Sequence, residues 1–228
     1  MKRITAILAV VALFIISARG QGFLNLNFES AQNLPGSLTN NSAYVAVTNA
    51  MPHWTVYSGP ADEGDVLSDI YYVSNYLSGS QSPVELEGGT LALSGNYSVE
   101  LFGDCAIGQT ATVPDDAASL EFEAGGAGGE SGLGSGGVSV GGGSLSVTLG
   151  TDTLLLSAVS EGPDYTVYGA NIPSDLDGLS EALIFSCQGS GSGQVVLDNI
   201  EFLPIPEPSE CALMGVGAVA LLVRRRRC

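Results

Sequence analysis

The stretch LNLNFES, residues 24–30, alternates apolar and polar side chains with period two. In an extended chain Leu24, Leu26 and Phe28 point one way and Asn25, Asn27 and Glu29 the other, the pattern of a half-buried strand. The alternation returns in AYVAVT (43–48), WTVYS (54–58), DIYYV (69–73), VELEGGTLAL (84–93) and YSVELFG (97–103). It continues through AIGQTATV (106–113), SLEFEA (119–124), VSV (138–140), LSVTL (145–149), TLLLSAV (153–159), YTVYG (165–169), ALIFSC (182–187) and QVVLDNIEF (194–202). These runs are short and rich in Val, Leu, Thr and Tyr, and Gly, Pro, Asn, Asp and Ser divide them. No segment of helical period and length interrupts them. The expected fold is all-β, an antiparallel β-sandwich or jelly roll over residues 21–203. The glycine-rich AGGAGGESGLGSGG (124–137) has few side chains to pack and predicts a flexible surface loop. GGG at 141–143 predicts a hairpin turn.

Both ends read differently from the body. Lys2 and Arg3 precede an apolar run from Ile4 to Ile16, and Ala18 and Gly20 bracket Arg19. That is the layout of a secretory signal peptide over residues 1–20, cleaved by signal peptidase after Sec export. The run of 13 residues is short of the roughly 20 that an anchor helix needs. At the other end, residues 204–228 comprise a proline-rich break, an apolar stretch at 211–223 and four arginines. As a helix that stretch is about 20 Å long, a short transmembrane element. The arginines would hold its end on the cytoplasmic side and leave the body outside.

Charge sharpens the division. All seven basic residues are Lys2, Arg3, Arg19 and Arg224 to Arg227, whereas only Glu207 and Glu210 of the 24 acids lie beyond residue 205. Residues 21–205 therefore carry 24 − 2 = 22 acids and no Lys or Arg. Such a body repels nucleic acid, and phosphate-bearing cofactors are disfavoured for the same reason. Its carboxylates must be solvated, hydrogen-bonded or shared with metal ions. Cys105 and Cys187 are the only cysteines of the body. In an exported protein they either form one disulfide or stay as two buried thiols.

Catalytic signatures are sparse. The one histidine, His53, has no nucleophile motif beside it, and no GxSxG occurs. A glycosidase needs two carboxylates at a set separation, and nothing singles out a pair. Trp54, Tyr57, Tyr71 and Tyr72 make the densest aromatic region. They either stack on the apolar faces of sugar rings or fill the sandwich core.

Pro206-Glu207-Pro208, the apolar stretch and Arg224, Arg225, Arg226 and Arg227 together resemble the PEP-CTERM sorting signal of bacterial exosortase systems. The same kind of tail is also labelled an ice-binding protein C-terminal domain, although no ladder of regularly spaced Thr appears here. The resemblance implies processing by a membrane-embedded exosortase and delivery to the cell surface or an exopolysaccharide matrix. Cys211 and Cys228 are unusual additions to that pattern. The body more weakly resembles galactose-binding-like jelly rolls of carbohydrate-binding modules, through Phe28-Glu29 and the closing strand Val195 to Phe202. By that resemblance Glu29 and Asp198 are candidate ligands of a structural calcium, the expected cofactor; otherwise they are solvent-facing strand acids. The expectation is a non-catalytic exported matrix protein with extracellular polysaccharide and calcium as candidate ligands. The alternative is a two-carboxylate carbohydrate-active enzyme or its accessory subunit.

Overall fold

The computed structural model describes residues 22–36, 42–74, 82–125, 131–134, 137–140, 143–189 and 194–204. The expected signal peptide, residues 1–20, lies outside them, as does the tail from 205 to 228 with Pro206, Glu207, Pro208 and Arg224 to Arg227.

Strand β1 (Ser42–Ala46) leads through one helical turn, α1 (Val47–Ala50), to β2 (Thr55–Tyr57) and β3 (Asp69–Ser74). A 3-10 turn at Gly89–Leu91 separates β4 (Val84–Gly88) from β5 (Tyr97–Phe102). Next come β6 (Cys105–Thr112), β7 (Ala117–Gly125), β8 (Ser131–Gly134), β9 (Gly137–Val140) and β10 (Gly143–Leu149). The last described strands are β11 (Asp152–Thr153), β12 (Ser157–Glu161), β13 (Thr166–Asn171), β14 (Ser180–Gln188) and β15 (Gln194–Pro204). A front sheet runs in the order β1-β3-β4-β5-β15-β7-β13-β12. A back sheet runs β2-β6-β14-β10-β9-β8, with β11 on β10. The fold is an all-β sandwich.

Pleating turns the alternation into two faces. Val84, Leu86, Val99, Leu101, Leu120 and Phe122 of the front sheet meet Ile107, Leu145, Val147, Leu183 and Phe185 of the back sheet in one core. Each large side chain buried there stabilises the fold by about 1.5–3 kcal/mol. Phe122 and Phe185 join the layers edge to face, ring centroids 5.2 Å apart.

Three local expectations change. The sheets are not wholly antiparallel, because β3 and β4 pair in parallel. LNLNFES is not a strand: Leu26 and Phe28 are buried, but so is Phe23, while Leu24 is 48% exposed. Asn25 and Phe28 sit at φ 52° and 56°, in the left-handed region that a short amide side chain tolerates best. Here side chains replace a ladder partner: Gln109 accepts from Leu24 N–H and donates to its carbonyl, and Trp54 Nε1 donates to Asn25 O at 2.9 Å. The glycine-rich stretch, finally, contributes β8 and β9, which pair with each other and then with β10. Ladder hydrogen bonds need only backbone, so a run poor in side chains extends a sheet edge. The β9–β10 register is that of the hairpin predicted at GGG.

Candidate functional site

The sequence-predicted aromatics do not gather on one surface. Trp54 is buried against Phe28 and Phe185. It belongs to the core, because its ring packs between the N-terminal segment and the back sheet and its N–H is satisfied internally. Tyr57 alternates with buried Val56 on β2, which sets it on the outer face of the back sheet. Tyr72 packs against the core and Tyr97. Only Tyr71 stands on the outer face of the front sheet, edge-on to Tyr44 at 4.0 Å. Tyr44, 64% exposed, went unnoticed in the sequence. The inward parity of Val45 and Val47 in AYVAVT was the signal for it.

Glu29 and Asp198 both engage the segment 94–98. Glu29 accepts from Asn96 N–H, Asn96 Nδ2 at 2.8 Å and Tyr97 N–H at 3.0 Å. Partial burial raises its pKa, and these hydrogen bonds outweigh that and hold it below the ordinary value. Asp198 accepts from Ser98 Oγ at 2.7 Å, Ser94 N–H at 3.1 Å and its neighbour Asn199 N–H at 2.7 Å. Burial pushes Asp198 up to about 6 against those bonds. All four carboxylate oxygens thus face N–H or O–H donors. A calcium ion takes six to eight oxygen ligands. Among the described residues no group of three or more His, Cys, Asp or Glu could hold a metal ion. These residues do not fit a shared calcium, because the segment that joins them presents donors.

Cys105 and Cys187 are register partners on β6 and β14, both buried, and both are free thiols. The adjacency suits a bridge, since facing residues of an antiparallel pair lie about 4.5–5.5 Å apart at Cα. Yet the expected disulfide is not formed in this structure. Burial, reinforced by Cys187 and Asp104, pushes the Cys105 thiol up to about 12. Burial and Asp104 push Cys187 up to about 11.

Outward-facing residues make the more distinctive surface. On β4 and β5, Glu85, Glu87, Ser98 and Glu100 point away from the core, yet none is more than 3% exposed. Ser98 continues the row to Asp198 on β15, whose register partner on β7 is Glu123. Tyr165 hydrogen-bonds Glu123, but Glu123 Oε2 is buried and has no hydrogen-bond partner.

The row ends in a groove. Its cause is a bulge in β15, where pairing with β7 shifts between Asp198 and Glu201. Asn199 takes φ 44° there, and Ile200 N–H bonds to Leu26 O of the N-terminal segment at 3.0 Å. The bulge and that segment frame a cavity of about 830 Å³ that opens to solvent. Asn25, Asn27, Asn199, Glu121, Glu123 and Glu201 supply its polar wall. Phe23, stacked on Phe202 with centroids 5.0 Å apart, forms part of the apolar floor. Sequence reasoning missed this site. In QVVLDNIEF the core residues Leu197 and Ile200 are three apart, the break that marks a bulge. In SLEFEA the inward Leu120 and Phe122 already turn Glu121 and Glu123 outward.

No family model and no curated protein matches this chain. Among solved structures the chain is similar to TmCBM61, determined in complex with β-1,4-galactotriose, at 12% identity and a TM-score of 0.38. The match covers 81% of this chain and 99% of that one. A likeness so loose carries no functional weight, and the reading below rests on this chain's own residues.

Proposed function

We propose that this protein is a non-catalytic glycan-binding sandwich, exported to the cell surface or an exopolysaccharide matrix. The observation that carries the binding role is the groove at the β15 bulge. Its wall offers three carboxylates and three amides over an apolar floor. Sugar hydroxyls are donors of the right kind, and amides serve a polyhydroxylated ligand as donor and acceptor at once. With no Lys or Arg in residues 21–205, uronic or sulfated sugars would be repelled, so the ligand class is neutral polysaccharide. Exposed Tyr44 and half-buried Tyr71 supply an apolar surface at the far edge of the same sheet.

Export rests on the charge partition, with every basic residue in the two ends. Processing of those ends by signal peptidase and an exosortase-type enzyme would leave a wholly anionic mature body. Mass spectrometry of native material, with Met1 and Cys228 both retained on a cytosolic species, would refute the export reading.

The binding reading is tested by calorimetric titration of neutral polysaccharides into wild type and the Glu121→Gln/Glu123→Gln variant. Saturable binding without release of reducing ends, weakened at least tenfold in the variant, is expected. Reducing ends that appear with wild type and vanish in the variant would instead support a hydrolase using the groove's glutamates. The buried pair Glu87 and Glu100 does not suit hydrolysis, because the two carboxyls bond each other directly. Glycosidase pairs stand about 5–5.5 Å or 6.5–9.5 Å apart with sugar between them.

A further inference from the structure

Two carboxyl groups share a hydrogen bond only while one of them holds a proton, because an ionised carboxylate is solely an acceptor. Glu87 on β4 and Glu100 on β5 share such a bond. Glu85 stands beside them as the register partner of Glu100. All three are at most 3% exposed, on strands near the middle of the front sheet.

Among the described residues the surroundings add acids and no bases. From β3, Tyr71 faces Glu85 across the parallel pairing. From β15 and β7, Asp198 and Glu123 continue the row beyond Ser98, with Tyr165 next to Glu123. Tyr72 and Tyr97 occupy the inner side of β3 and β5. The back-sheet strands that touch β5 bring Cys105 and Cys187 as buried thiols, together with the half-buried Glu181 of β14. The Gly89–Leu91 turn brings no ionisable group.

We propose that Glu85, Glu87 and Glu100 form a proton-dependent lock on the front sheet. The proton held between Glu87 and Glu100 ties β4 to β5 across three buried carboxyls, and its loss places mutually repelling charges in a space that water does not screen. The lock stands independently of what the groove binds.

Its sign follows from linkage. Burial first, then the neighbouring glutamate charges, raise Glu87 from 4.5 to about 7 and Glu100 to about 9. A folded-state pKa raised above the unfolded value gives stability that is complete below 4.5 and is lost as pH climbs toward about 9. An ordinary paired carboxylate does the reverse.

Thermal melting across that range tests the lock with the full chain. Wild-type Tm should fall steadily with rising pH, and Glu100→Gln, whose amide donates without a titratable proton, should flatten the slope. A wild-type Tm that stays level or rises, or a Glu100→Gln profile parallel to wild type, overturns the proposal. Infrared spectroscopy gives a readout that needs no variant. At pH 8, between the two values of about 7 and about 9, the folded wild type should show the band of a protonated carboxyl. Its absence overturns the lock even if Glu100→Gln and Glu87→Gln fail to fold.

Discussion

Glu29 illustrates how much one half-buried side chain can organise. Its carboxylate collects two backbone N–H groups and an amide from Asn96 and Tyr97, and so ties the N-terminal segment to the start of β5. Gly95 at φ 61° lets the loop approach, since a Cβ there would strike Glu29 Oε1. Glu29→Ala should lower stability by about 1 kcal/mol, the modest worth of hydrogen bonds in contact with solvent. Because its pKa is depressed, Glu29 contributes above the ordinary carboxylate value and loses that contribution as pH falls, opposite in sign to the buried glutamates. Melting curves of the variant at neutral and acid pH would check both points. EDTA should leave the wild-type curve unchanged, as donors already meet Glu29 and Asp198. Trp54 belongs to the same scale. Trp54→Phe should cost about 1–3 kcal/mol in denaturant unfolding, through lost packing and the bond to Asn25 O, and should weaken glycan binding less than Glu121→Gln/Glu123→Gln. A sugar-stacking platform would show the converse.

At the scale of elements, period-two patterning was enough wherever both faces of a strand are decided by burial. Val84 and Leu86 against Glu85 and Glu87, or Leu120 and Phe122 against Glu121 and Glu123, sit as the alternation places them. What alternation could not show was that Glu85 and Glu87 would be closed off from water. That depends on what covers the outer face, not on the strand's own order. LNLNFES had the right period but a different structure, since Asn25 adopts the left-handed turn that a strand cannot. The groove was half legible: outward Glu121 and Glu123 follow from pattern, whereas their meeting with Asn199 and Glu201 needs the tertiary pairing of β15 with β7. Cys105 and Cys187 stand far apart in sequence, and the register of β6 with β14 explains why they meet. Because burial holds both thiols far above neutral, alkylation of the native protein should be slow and become complete only on unfolding. Rapid labelling of folded protein would contradict that.

For the whole molecule, charge dominates. A body with 22 acids and no Lys or Arg repels itself, so added salt should raise Tm until screening is complete. On the proposed reading, the same field makes neutral glycan the compatible ligand, and the proposed lock keeps a few carboxyls buried in protonated form. The proposed sugar site is the β15 bulge groove. Backbone NMR of the mature protein, titrated with a neutral oligosaccharide that it binds, would locate the ligand. Resonances of residues 23–27, 121–123 and 199–201 should shift together and saturate; shifts confined to the back sheet, or none on the front sheet, would contradict it.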